Sequence, residues 1–178
     1  MGLTSIQRTV STIVIAVFAL AGSAQLVVSS GIVPGTLQTL VLIVAAGLLG
    51  SRNALIATAL YVAGGALGIP WFSGLDADMS ITGGYIIGFV PAAGLIGWYA
   101  DKGACNSYSS CVGVFLQGLV VVYLCGVLWM MHASTASLPD LIAVGVHPTV
   151  VQDVCEILLA SAIVSRLRAK TIASKEAL

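Results

Sequence analysis

Charged positions interrupt this chain only at long intervals, and the intervals predict its architecture. Between Arg8 and Arg52 lie 43 uncharged residues, between Arg52 and Asp76 another 23, between Asp78 and Asp101 another 22, and between Lys102 and Asp140 another 37. A membrane-crossing helix needs about 20 predominantly apolar residues, so the longer gaps have room for two spans and the shorter ones for one. The tail from Thr149 to Leu167 supplies the last. The apolar runs are continuous rather than alternating, which selects helices over barrel strands. The pattern predicts an all-α, polytopic membrane protein: a single domain over residues 1–178 with six transmembrane helices at 9–28, 36–50, 54–69, 82–100, 112–131 and 149–167.

The breaks between these runs refine the picture. Ser29 to Gly35 reads as an outer turn, and Ser51-Arg52-Asn53 as a tight inner turn that makes helices two and three an antiparallel hairpin. Helix two spans only about 22 Å at 1.5 Å per residue, against a hydrocarbon core of about 30 Å. Its outer end is therefore expected to be recessed, with Thr36 and Gln38 inside the outer leaflet. Pro91 is expected to kink helix four, and Leu138 to Val146 reads as a partial helix capping the outer face. Arg8 before an apolar run resembles a cleavable signal, but the charge count below requires this span to be retained.

Composition agrees with the spacing. The chain is 58% hydrophobic and 8% charged, whereas soluble domains carry about 25% charged residues. In the six-span arrangement Arg8, Arg52, Lys102, Arg166, Arg168, Lys170 and Lys175 fall on one side, while the opposite loops hold Asp76, Asp78 and Asp140. The positive-inside rule then places both termini in the cytoplasm, in a multi-pass protein of the cytoplasmic (inner) membrane. The cations follow topology and form no basic patch for nucleic acid. No phosphate-binding loop, zinc motif, or span-borne pairing of a nucleophile with a base is present, which argues against an enzyme or a metal site. His132 and His147 read as solvated loop residues, and Cys105, Cys111, Cys125 and Cys155 as small apolar filler.

Candidate chemistry gathers at the outer ends of the helices. Residues 61–89 contain two glycine-rich helical ends, Gly64 to Gly68 and Thr82-Gly83-Gly84-Tyr85, around a short acidic loop with Trp71 and Phe72. Bare backbone beside aromatic faces suits a small-molecule pocket. The GxxxG pair Gly64/Gly68 serves equally well for helix packing. Helices two, four and six run inward, so their N-termini at Thr36, Thr82 and Thr149 converge outside, where free N–H groups and dipole ends can hold an anion. Asp153 and Glu156 lie one turn apart on helix six. Carboxylates at that depth face a cavity or the bundle interior, and Asp153 is expected to accept N–H donors from a ligand. The site suits a small amphiphile with one acidic end and an N–H-bearing ring. A stand-alone or proton-linked carrier using Asp153 and Glu156 is the alternative reading. On helix one, Ala16, Ala19 and Ser23 form a small-residue face for a neighbouring helix.

The motifs Pro34-x-Thr36-x-Gln38-Thr39-Leu40, Tyr61 with Gly65-Ala66-x-Gly68-x-Pro70-x-Phe72-x-Gly74, and Thr82-Gly83-Gly84-Tyr85-x-x-Gly88-Phe89 resemble the BioY family. These are the biotin-binding S components of energy-coupling factor (ECF) transporters, and the similarity runs from helix one to helix six. The resemblance implies capture of biotin from outside by a six-helix S component, as the transported ligand rather than a cofactor. It implies partnership with an EcfT-like transmembrane coupling protein and EcfA-like cytoplasmic ATPases, the coupling protein docking near Ala16, Ala19 and Ser23. It implies a site drawn from Thr36, Gln38, Tyr61, Gly65, Trp71, Phe72, Thr82, Gly83, Gly84, Tyr85, Asp153 and Glu156. Two departures stand out: Ser80-Ile81 where the family usually has Gly-Pro, and Glu156 where it commonly has Lys.

Overall fold

The structure, a computed structural model, describes residues 4–29, 35–72 and 79–176. Pro34, Gly74 and the acid pair Asp76 and Asp78 lie outside the described residues. Helix α1 spans Ser5–Ala24, four residues earlier at each end than hydropathy predicts. A reciprocal capping box sets the start: the Thr4 hydroxyl accepts from the Gln7 N–H, and the Gln7 side chain accepts from the Thr4 N–H. At the other end Val27–Ser29 leaves the helix as strand β1 and pairs antiparallel with β2, Gly35–Thr36, with Val27 opposite Thr36. Thr36 therefore belongs to a two-stranded ladder and not to the helix predicted at 36–50.

Helix α2, Gln38–Ala66, is two helices joined at a reversal. A straight helix would part Gln38 from Tyr61 by about 34 Å, yet Gln38 Nε2 donates to Tyr61 Oη at 2.6 Å. The chain folds back at Gly50, whose φ of 76° and ψ of 174° fall in a region essentially reserved for glycine. The predicted hairpin thus forms one residue before the predicted turn. Its arms, 38–49 and 51–66, are about 18 and 24 Å long. Asp101, ending α3, caps the second arm by accepting from the Ser51 N–H at 2.9 Å. The second arm stops at Ala66 and not at Ile69, because Gly68 (φ 93°) closes a Schellman motif. Ile69 N–H donates to Gly64 O and Gly68 N–H to Gly65 O.

Helix α3, Met79–Asp101, contains Pro91 and begins three residues before the predicted Thr82. A short 3-10 helix, Ala104–Asn106, leads to α4, Tyr108–Ala133, capped by the Ser107 hydroxyl. The partial helix expected at 138–146 forms as α5, Leu138–Gly145. Helix α6, Val150–Glu176, continues past the predicted end at 167 into the basic cluster. There Arg168 turns back on the bundle, donating to Gly47 O at 2.9 Å, Ala100 O at 2.6 Å and Asn106 Oδ1 at 3.1 Å. A cation on the C-terminal carbonyls of two helices is favoured by their dipoles.

Helix α3 packs between α2 and α4, α6 packs on both of those, and α1 rests on α2. Leu20, Ala46, Tyr61, Ile96, Phe115 and Val164 are fully buried at the centre. Phe18, Leu60, Leu124, Leu128 and Val151 point outward and are exposed, as a lipid-facing surface requires. Helices α1, α3 and α4 are long and apolar enough to cross a membrane, and the two arms of α2 are as apolar but shorter. With α2 counted as two arms and α6 added, the fold is the six-helix membrane bundle that the sequence predicts. On α1, Ala16 and Ser23 are buried, with the Ser23 hydroxyl donating to Leu20 O, whereas Ala19 is exposed. The small-residue face is split: Ala16 and Ser23 pack inside the bundle and only Ala19 looks out.

Candidate ligand site

A polar cavity of about 60 Å³ sits where β2 and the outer halves of α2, α3, α4 and α6 meet. Its polar lining is Thr36, Gln38, Thr39, Thr82, Tyr85, Tyr123, Thr149 and Asp153, and Ile86, Phe89, Leu119 and Val122 close it apolarly. The three hydroxyl residues expected at converging helix starts, Thr36, Thr82 and Thr149, do line this one cavity. They reach it from a strand, from the first turn of α3 and from the turn before α6.

Asp153 organises the α6 wall. It is 5% exposed, and its Oδ2 accepts from Tyr123 Oη at 2.5 Å. Tyr123 Oη also lies 3.2 Å from Thr149 Oγ1. A phenol has one proton, and the carboxylate takes it; the Thr149 hydroxyl, also 3.4 Å from Val146 O, completes the cluster. The hydroxyl of Thr39 faces the same carboxyl from α2. Tyr85 packs edge-on against Tyr123, with ring centroids 6.5 Å apart, and donates to Gly145 O at 3.1 Å, tying α5 over the site.

A second polar chain forms the α2 wall. Thr36 Oγ1 donates to Gln38 Oε1 at 2.8 Å, and Gln38 Nε2 donates to Tyr61 Oη. Tyr61 O accepts from Trp71 Nε1 at 3.0 Å, and the Tyr61 ring meets those of Trp71 and Phe72 at 5.8 and 5.4 Å. Gln25 Nε2 holds this aromatic strap from α1, donating to Trp71 O and Phe72 O at 3.3 Å each. Tyr61, Trp71 and Phe72 therefore stand behind Gln38 and do not line the cavity in this structure.

The glycines lie elsewhere than the sequence predicts. With α3 starting at Met79, Gly83 and Gly84 fall within the helix and face Trp129 of α4; a Cβ at Gly84 would strike Trp129 Cβ and the Cys125 carbonyl. Close helix approach, rather than access for a ligand, explains their missing side chains. Gly65 likewise makes room for the Phe72 ring, and Gly64 for Trp71.

Glu156 parts company with Asp153 despite sharing its helix face. Its Oε1 accepts from Gln152 Nε2 at 2.7 Å, the Leu40 N–H faces it, and Gln152 Nε2 also donates to Thr36 O at 3.1 Å. Glu156 Oε2 and Gln152 Oε1 are buried without partners. Glu156 thus braces the α6–α2 seam behind the cavity wall. Tyr123 is a site residue that the motifs do not single out; its signal is a phenol at span depth, where a hydroxyl needs a partner. His132 and His147 are exposed, and among the described residues no group of three His, Cys, Asp or Glu side chains could hold a metal. Cys105 and Cys111 are buried together at the basic end, Cys111 Sγ donating to Cys105 O at 3.2 Å.

These features define a class: a small multi-pass α-helical membrane protein with a buried polar pocket at one end of its bundle, suited to holding and passing on a small molecule. Residues 3–173 match the model of the BioY family, and the chain belongs to that family. It is 36% identical over 152 residues to the probable biotin transporter BioY of Pyrococcus horikoshii, covering 83% of this chain and 88% of the relative. It is 32% identical over 142 residues to the biotin transporter BioY of Thermotoga maritima, covering 78% and 82%. The crystal structure of the S-component for biotin from an ECF-type ABC transporter matches with a TM-score of 0.78 at 25% identity, over 94% of this chain and 95% of that one.

Proposed function

We propose that this chain is the substrate-capture subunit for biotin of an ECF-type transporter, binding its ligand in the Asp153 cavity. The observation that carries the reading is a buried carboxylate, Asp153, held by Tyr123 and facing a cavity ringed by neutral donors and acceptors from four other elements. A carboxylate can take a ureido N–H, and the hydroxyls and outer helix ends can hold the vitamin's acid group without a cation. The cavity, at about 60 Å³, is below the roughly 300 Å³ at which ligand pockets begin. Binding therefore widens it, and the Trp71–Phe72 strap over Gly64 and Gly65 is the part whose contacts are aromatic stacking and three neutral hydrogen bonds.

Both termini lie in the cytoplasm of a cell whose inner membrane carries the chain, because all seven cations then face inward. An EcfT-like coupling protein docks on the exposed side of α1 around Ala19, and EcfA-like ATPases drive the cycle. A titration of purified protein with biotin, thiamine and riboflavin tests the reading: only biotin should bind, and equal affinity for the three would overturn it. The second reading is a stand-alone, proton-linked carrier, favoured by one observation: Asp153 and Glu156 are both buried, and among the described residues no cation pairs with either. Uptake of labelled biotin by cells expressing this chain alone, abolished by dissipating the proton gradient, would select it.

A further inference from the structure

A wedge of about 570 Å³, far roomier than the ligand cavity, lies at the opposite, basic end of the bundle, between the start of α1 and the Gly50 reversal. Ser51, Arg52 and Asn53 form one wall, Ile6, Val10 and Ile13 the other, and Asp101 lies beside the hinge. Its depth in the bilayer can be located. Gly97 packs directly on Gly50 and Ser51, and the next residue, Trp98, is exposed with Lys102 Nζ 3.4 Å over its ring. A Trp–Lys pair marks the membrane–water boundary, so the wedge opens where phospholipid headgroups lie. The charges inside it are unequally engaged. Asp101 Oδ2 accepts the Ser51 N–H and its Oδ1 is a free acceptor, while Arg52 is exposed and makes no hydrogen bond or ion pair, both among the described residues.

One uncommitted guanidinium next to one half-committed carboxylate, over an apolar wall, matches a neutral zwitterion with a lipid tail. We infer that the wedge between α1 and the Gly50 hinge binds a phospholipid with an ethanolamine headgroup: its phosphate on Arg52, its primary ammonium on Asp101, and its acyl chain along Ile6, Val10 and Ile13. A choline headgroup has no N–H to give Asp101. A purely anionic headgroup would set a second negative charge beside that carboxylate. The inference is independent of what the outer cavity binds.

The test is native mass spectrometry of the full chain released from nanodiscs containing equal parts of phosphatidylethanolamine, phosphatidylcholine and phosphatidylglycerol. The ethanolamine lipid should be retained about threefold to fivefold over either competitor, as one interfacial charge contact allows. Arg52→Gln and Asp101→Asn should each abolish the preference; the asparagine keeps an oxygen for the Ser51 N–H, so the hinge cap survives. Arg52→Lys should keep it, and Arg166→Gln, at an exposed cation on α6 outside the wedge, should leave it unchanged. Soluble phosphoethanolamine in excess should not displace the lipid. Equal retention of all three lipids, a preference untouched by Arg52→Gln, displacement by phosphoethanolamine, or no lipid retained at all would each overturn the inference, the last leaving the wedge to a protein partner.

Discussion

Asp153 offers the sharpest test of the ligand site, because its surroundings fix what each substitution removes. The wild-type carboxylate is buried, accepts from Tyr123 with 2.5 Å between the two oxygens, and is faced by the Thr39 hydroxyl. A ligand N–H donated to it makes a charge-assisted bond, contributing about 1.5–3 kcal/mol, against about 0.5–1.5 for a neutral acceptor. Asp153→Asn keeps the shape and one acceptor oxygen, so biotin affinity should fall by about 5- to 15-fold. Asp153→Ala removes the bond altogether and leaves the Tyr123 hydroxyl without its acceptor, so the loss should reach about 10- to 150-fold. Isothermal titration of the three proteins in one detergent reads the series directly, with thermal melts run alongside to verify that each is folded. The order wild type, Asn, Ala is the expected outcome. An Ala variant that binds as tightly as wild type refutes a direct role for this carboxylate.

Gly84→Ala sets a methyl against Trp129 and the Cys125 carbonyl, and Gly97→Ala sets one against the Gly50–Ser51 backbone. Each should destabilise by about 1–3 kcal/mol in a thermal-shift series, whereas Gly113→Ala, with open space at that position, should be neutral or slightly stabilising. Arg168→Ala should cost about 2–4 kcal/mol by stripping three acceptors of their donor, and Arg168→Lys should recover less than half, because an ammonium cannot span the fork. Alkaline phosphatase fused after Ala136 should be active and the same enzyme fused after Ala173 inactive; the reverse pattern would invert the assigned orientation.

Charge spacing made the bundle legible because every interval without Lys, Arg, Asp or Glu is a stretch that lipid can solvate. Hydropathy carried less information about where helices stop, since the terminators are polar bonds rather than loss of apolarity. Thr4 and Gln7 started α1 early, the β1–β2 ladder ended it early, and Gly68 halted α2 through its backbone. The pocket was legible in its acids and hydroxyls: Thr36, Thr82, Thr149 and Asp153 line one cavity. It was not legible in its glycines, because Gly83 and Gly84 carry the same sequence signal whether a ligand or Trp129 fills the space. Nor did periodicity separate Asp153 from Glu156. One turn of helix puts them on a common face, but Tyr123 on α4 claims the first while Gln152 and α2 claim the second.

The outer closure has a consequence for energetics. Gln25 on the carbonyls of Trp71 and Phe72, Thr36 on Gln38, Gln38 on Tyr61 and Tyr85 on Gly145 are all bonds between uncharged groups. An electric field does work only on displaced charge, about 2.3 kcal/mol per elementary charge per 100 mV, and rearranging these amides and phenols displaces none. The bonds that hold the ligand cavity shut among the described residues therefore add nothing to any dependence of binding on membrane potential.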